Sequence, residues 1–304
     1  MCFPRLLSGT SRRPVQPVCQ AAVQSVLKTK EEEGSSDWRW SHIHERIHCW
    51  VFPLDISQSR LGDRQTTSNA CTLIALMLAR YIYHTGHRST PAAILNQAVC
   101  LAVSEHFVQL VANSILEGNE AHQTAVKQRS GRKNDRGLFT VPGGIRAVKG
   151  IQEINWKLVY GVRKNLSRFI KKAMDSELTT EFSQVFLVVI IIERAILVLY
   201  DRQEHVINVI DGHAHRHGGA IFLSSDAQNL EEFCATLVVK LFPDLDEDTD
   251  RFEISCLQIL SDLPPGMTKH DSKPRFAPKK AIKGAVFEDN PPSLTDNGTI
   301  RVEV

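Results

Sequence analysis

The segment 62–76, GDRQTTSNACTLIAL, places Cys71 six residues after Gln65, at the start of a strongly apolar run. A cysteine nucleophile needs a thiolate, a base held against it and donors for the oxyanion of a tetrahedral intermediate. At a helix start, unpaired backbone N–H groups and the helix dipole lower a thiol pKa. Gln65, on the loop feeding that helix, carries an amide that can donate to an oxyanion beside the sulfur, together with the Cys71 N–H. Asn69 is an alternative donor. The plainer possibility is that Cys71 is a small buried hydrophobe and Gln65 an ordinary loop residue.

A second segment, 206–223, reads VINVIDGHAHRHGGAIFL. A strand ends at Ile210, and Asp211 and His213 follow with one residue between them. On extended backbone such residues share a side, so the carboxylate can orient an imidazole that serves as base. His215 and His217 share the parity. The HxHxH run also admits a metal site, since imidazoles at alternate strand positions can share zinc or iron. VIDGHAH resembles the strand-end motif of amidohydrolase barrels, but only about 50 ordered residues are expected after it, far too few to complete a (β/α)8 barrel.

Other candidates are thinner. His42, His44, His48 and Cys49 cluster in WRWSHIHERIHCWVF, without a CxxC pair or a matching downstream set; an amphipathic segment packing its tryptophans inward explains the pattern. GNEAH offers Asn119 and His122, the latter a second candidate base. LFTVPGGIRAV, 138–148, lacks the P-loop pattern and reads as a glycine-bearing loop able to line a substrate groove. The acidic run DLDEDTD, 244–250, lacks the EF-hand glycine and closing glutamate. Basic patches at 127–136 and 163–172 come without aromatic interleaving, so nucleic acid is not an expected partner.

The elements that must position Cys71 and His213 can be read from periodicity. Residues 70–84 are apolar almost all round, as a central buried helix requires, with Ser68 and Asn69 as cap residues. A longer helical pattern covers 91–117, a polar loop 123–137, and an amphipathic helix 158–174. Short runs rich in Val, Ile and Leu at 185–192, 195–200 and 206–210, broken by polar pairs and quartets, read as an antiparallel meander. Residues 220–223 suggest a fourth strand, and 226–241 a last helix stopped by Pro243. Helices first and sheet second make an α+β plan: an N-terminal helical part with a buried central helix packed on a C-terminal antiparallel sheet.

The 304 residues, 42% hydrophobic and 23% charged, are enough for one large domain, and a net charge of +2 gives no general affinity for polyanions. Residues 1–40 read as a disordered basic leader, 41–262 as the folded domain and 263–304 as a disordered tail. Seven scattered cysteines without a CxxC suggest a reduced chain, cytoplasmic or nuclear. The apolar stretch 184–200 is interrupted by Glu193 and Arg194 and is short for a spanning helix, so no membrane partner is expected.

The Gln-x5-Cys spacing at Gln65 and Cys71, a Cys opening a buried helix and a sheet-borne His later in the chain together resemble the papain-like cysteine peptidase superfamily. The Asp-x-His at a strand end, followed by His and Gly-Gly, is closest to the herpesvirus large tegument protein deubiquitinase domain. The resemblance covers about 60–240 and implies Cys71 as nucleophile, His213 as general base and acid, Asp211 as its orienting group and Gln65 in the oxyanion hole. It further implies ubiquitin, a ubiquitin-like protein or another protein as substrate, and no cofactor or metal. Thr72 stands where papains usually carry Trp, and no papain-type Asn follows the histidine. A module that keeps the fold only to bind a protein is the alternative.

Overall fold

A computed structural model describes residues 39–44, 47–62, 64, 66–88, 105–129, 137–215, 218–246 and 250–260. Most of the leader 1–40 and all of the tail 263–304 lie outside the described residues. In chain order the elements are β1 (Arg39–His44), β2 (Ile47–Val51), α1 (Cys71–Thr85), α2 (Glu105–Arg129), α3 (Val141–Val148), β3 (Ile151–Tyr160) and α4 (Val162–Met174). Then follow β4 (Gln184–Ile191), β5 (Arg194–Asp201), β6 (Val206–Asp211), β7 (Ile221–Asp226), α5 (Leu230–Leu241) and β8 (Arg251–Ile259).

All strands join one antiparallel sheet in the order β1-β2-β7-β6-β5-β4-β8-β3. Its centre, β4 to β6, is apolar on both faces, so both must be covered. Phe186, Val188, Leu197, Leu199 and Ile210 face the first core cluster with α1, α2 and α3. Leu187, Val189, Ile196, Val198, Ile207 and Val209 face the second, under α4 and α5. The alternation assigns each residue to its layer.

Helix α1 is buried along nearly its whole length, from Cys71 to Ile82, which accounts for apolar residues on all its sides. Two glycines let other helices reach it. A Cβ on Gly118 of α2 would lie 2.9 Å from the Ile74 Cα, and one on Gly144 of α3 would lie 2.7 Å from Leu76 Cδ1. Helix α4 instead buries one stripe (Val162, Leu166, Phe169, Ile170, Met174) and keeps its basic residues outward.

The α+β plan with a buried central helix on an antiparallel sheet is the one expected, but the sheet is wider. Residues around 39–51 are a hairpin, not an amphipathic segment packed on the domain. Residues 151–160 form an edge strand paired with β8 along its length, so the helix expected from 158 begins at Val162. The strand is hard to see in sequence because it is wet: Trp156 and Tyr160 are 59% and 63% exposed. The expected polar loop 123–137 is helical as far as Arg129, and 141–148 is a short helix opened by Thr140, whose hydroxyl accepts from Gly143 N at 3.4 Å. Most of the helix expected at 91–117, up to residue 104, lies outside the described residues.

Candidate active site

Cys71 is the first residue of α1. The residue ahead of it, Ala70, has no capping side chain. Ser68, expected as a cap, is turned elsewhere: its hydroxyl donates to Asn119 Oδ1 at 2.6 Å and accepts from Ala70 N at 3.2 Å. The first-turn N–H groups of α1 are thus kept clear of a competing side-chain oxygen, and a helix start left open in this way favours negative charge beside it. Thr72, the departure from the papain pattern, points inward and donates to Phe139 O at 2.8 Å. It ties the segment leading into α3 to the helix that carries the cysteine.

Burial of Cys71 pushes its thiol pKa up, yet the His213 hydrogen bond, the His213 charge and the Ala195 N–H together bring it below the ordinary 9.0. Two other buried cysteines mark the contrast. Cys234 and Cys256 are each pushed up to about 12 by burial. Burial is common to all three, and the imidazole is what separates Cys71 from the other two. The sulfur also lies 3.7 Å from Glu193 O, on the turn between β4 and β5. That turn holds Ile192 and Glu193 at φ 48° and 61°. It is a left-handed pair filled without glycine, an arrangement that costs backbone energy and brings both Glu193 O and Ala195 N against the thiol.

Asp211 ends β6 and is fully buried. Its Oδ1 accepts from His213 N at 3.0 Å and from His213 Nδ1 in a very short contact. Its Oδ2 accepts from Arg194 Nη2 at 3.2 Å and from His215 Nε2 at 3.0 Å. The strand has already ended, so Asp211 and His213 meet through a local side-chain turn and not by strand alternation. Burial alone would raise the Asp211 pKa, but His213 and His215 hold it well below the carboxylate range. Burial likewise opposes charge on His213, but Asp211 and Cys71 raise its pKa to about 9. With Nδ1 committed to Asp211, Nε2 is the nitrogen left for the thiol.

Arg194 was legible in sequence only as half of a turn. It opens β5, one residue beyond the turn, and reaches across to the end of α5, donating to Leu241 O at 2.9 Å with its guanidinium 5.3 Å from the Phe242 ring centre. It shares the Asp211 Oδ2 with His215 and gives the buried carboxylate a cationic partner.

A buried polar clamp fixes the two halves of the site to one another. Gln58 N donates to Gly212 O at 2.7 Å, between Asp211 and His213. The Gln58 side chain donates to Ser68 O at 2.9 Å, just ahead of Cys71, and Gln58 O accepts from Asn119 Nδ2 at 3.0 Å. Asn119, on α2, completes the clamp through Ser68. Asn119→Ala leaves the Ser68 hydroxyl and the Gln58 carbonyl buried without these partners and is expected to cost about 2 kcal/mol. A urea midpoint equal to that of the wild type would show that the clamp carries no such weight.

The remaining sequence candidates sort as follows. Gln65 lies outside the described residues; its neighbours Arg64 and Thr66 line the cleft beside His213. Asn69 is exposed on the approach to α1. His122 is bound to Gly137 O at 2.6 Å and packs edge-on against Phe139, so its Nε2 is committed to a backbone carbonyl. Of the HxHxH run, His213 and His215 both turn to Asp211, and His217 lies outside the described residues. His48 and Cys49 are buried in β2. Among the described residues no three His, Cys, Asp or Glu side chains gather in a metal-binding group. No described helix is long and apolar enough to cross a membrane.

No family model matches the chain, and no curated protein matches it. Two solved structures are similar at a distance. One is the ubiquitin-specific protease of murine cytomegalovirus tegument protein M48 in complex with a ubiquitin-based suicide substrate, at 10% identity, covering 72% of this chain and 89% of that one, TM-score 0.48. The other is the Pseudomonas avirulence protein AvrPphB, at 12% identity, covering 63% of this chain and 92% of that one, TM-score 0.37.

Proposed function

We propose that the chain is a papain-like thiol hydrolase that cleaves an amide bond, with Cys71 as nucleophile, His213 as general acid and base and Asp211 as the residue that orients and charges the imidazole. The observation that carries this reading is a placement: Cys71 opens α1 beside His213 and the Ala195 N–H, and the buried Asp211 carboxylate holds His213 Nδ1.

In this mechanism the Cys71 thiolate attacks the substrate carbonyl, and an S–C bond forms as the carbonyl electron pair moves to oxygen. The Cys71 N–H and the Gln65 amide are the assigned donors to that oxyanion. As the C–N bond breaks, the imidazolium of His213 gives its Nε2 proton to the leaving amine. A water molecule then attacks the thioester, giving its proton to His213; the S–C bond breaks and the thiolate–imidazolium pair returns. Asp211 stays ionised throughout and holds Nδ1–H, so that Nε2 faces the sulfur in both steps.

We infer that the substrate is ubiquitin or a ubiquitin-like protein, on the strength of the Asp211-x-His213 strand-end motif and its similarity to the herpesvirus tegument deubiquitinases. Two probes separate the parts. Iodoacetamide at pH 6 is expected to modify Cys71 well before Cys49, Cys234 and Cys256, all buried. Equal modification of all four ends the nucleophile assignment. Ubiquitin vinyl sulfone is expected to give one covalent adduct that Cys71→Ser abolishes. Rapid iodoacetamide labelling without that adduct removes ubiquitin and leaves the thiol chemistry standing.

A further inference from the structure

Beside His213 opens a cleft of about 410 Å³ whose lining includes Arg60, Arg64, Arg194, Thr66 and Thr67 together with His213 itself. Three guanidiniums and an imidazole raised to about 9 thus border one small space. None of the described lining residues is acidic. Arg194 has a carboxylate, Asp211, but that carboxylate is fully buried and already shared with both histidines. Among the described residues Arg60 and Arg64 pair with no carboxylate. The Nε atoms of Arg64 and Arg194 are buried and meet no acceptor among the described residues.

This surplus asks for an anion. A buried guanidinium N–H without an acceptor costs free energy that an incoming carboxylate recovers, and carboxylates meet guanidiniums in a geometry that makes two hydrogen bonds at once. The threonine hydroxyls add neutral donors at the rim. A concave wall of like charge also focuses its field on the space in front of it.

We propose that this cleft is a specificity subsite for an acidic side chain of the polypeptide substrate, close to the scissile bond, read by Arg60 and Arg64. The assignment rests on Cys71 being the nucleophile, because it places the acidic residue relative to the bond that Cys71 attacks. It adds a selection rule: a substrate that places Asp or Glu in this cleft reacts faster than one with Asn or Gln there. Arg194, whose Nη1 and Nη2 donate to Leu241 O and Asp211, has its charge met by that carboxylate and adds little to the selection.

Matched alkylating peptides test this without knowledge of the natural substrate. Iodoacetyl-Glu-amide and iodoacetyl-Gln-amide carry the same electrophile and nearly the same shape, and differ in one side-chain charge. The ratio of their rates of Cys71 modification is expected to be about 10 in favour of the Glu reagent at low salt. It should fall by about 3-fold in Arg60→Gln and further in Arg64→Gln, and approach 1 in the double variant or at 1 M salt, where the Debye length is about 3 Å. Arg60 is exposed, so its replacement does not threaten the fold; Arg64→Lys, which keeps the charge, is expected to restore part of the preference. A ratio near 1 in the wild type, or one unchanged by Arg60→Gln and Arg64→Gln, overturns the subsite while leaving Cys71 as nucleophile. Failure of both reagents to modify Cys71 overturns the nucleophile itself.

Discussion

Asp211→Asn is expected to lower kcat/KM for amide hydrolysis by about 10⁴ and to destabilise the fold by about 3 kcal/mol. The activity loss follows from the hydrogen bond at Nδ1. An Asn side chain can turn its NH2 toward His213, which forces the imidazole to accept at Nδ1 and to carry its proton on Nε2, the wrong tautomer to take a proton from the thiol. It also removes the main influence that holds His213 at about 9. The stability loss follows from burial. Asp211 is fully buried and its Oδ2 accepts from Arg194 and His215, so the neutral residue leaves the partly buried Arg194 guanidinium without its counter-charge. For a domain of this size the melting temperature should drop by about 10 °C. The pH dependence supplies a second readout. The folded pKa of Asp211 lies well below its ordinary value, so its contribution is present above about pH 4 and is lost as pH falls through the lowered value. The variant should lack that part of the acid-induced loss of stability. Full activity, or an unshifted acid limb, would remove Asp211 from the role assigned to it.

The elements around Cys71 and His213 were legible in the sequence because their signals are local. A helix apolar on all sides has to be central, and the alternation and polar breaks of 185–210 describe an antiparallel meander whose strands moved by only a residue or so at their ends. The residues that lock those elements together were not legible. Arg194 matters because a turn of two residues puts it on β5 and because α5 ends at Leu241, 47 positions away. Gln58 and Asn119 are 61 positions apart and look like any loop and helix polar residues until their buried hydrogen bonds are seen. Strand β3 escaped because its period-two pattern mixes Glu153 and Lys157 with exposed Trp156 and Tyr160, and what makes it a strand is pairing with β8, nearly 100 residues later. The contact between Asp211 and His213 also has a different origin from the expected one: the backbone N–H of His213 turns onto the carboxylate after the strand has finished. Local pattern announces the pieces, and long-range polar contacts, which carry no periodicity, decide how they are held.

His213→Ala separates the two influences on the thiol most directly. In the wild type the pull of His213 and Ala195 outweighs burial at Cys71. Without the imidazole, burial dominates, as it does at Cys234 and Cys256, which stand at about 12. A thiol at pKa 9 is roughly 1% ionised at pH 7, and a higher pKa leaves less. Iodoacetamide modification of Cys71 at pH 7 should therefore slow by at least about 10-fold, and its pH profile should move from an inflection below 9 to one above it. Hydrolysis by the proposed mechanism loses more, about 10³-fold or beyond, because His213 is there the proton donor to the leaving amine. The wild-type rate should be bell-shaped: it rises as Cys71 ionises and falls as His213 loses its proton near pH 9. Stability carries the same sign on the alkaline side. The folded pKa of His213 is raised above the ordinary 6.5, so its stabilising contribution is complete below that value and is lost as pH rises through about 9. The variant should not show this loss. His213→Gln, which keeps volume and a polar end, guards against a trivial packing defect. If Cys71 in either variant is alkylated at the wild-type rate and with the wild-type profile, the lowered pKa has another source and His213 is not its partner.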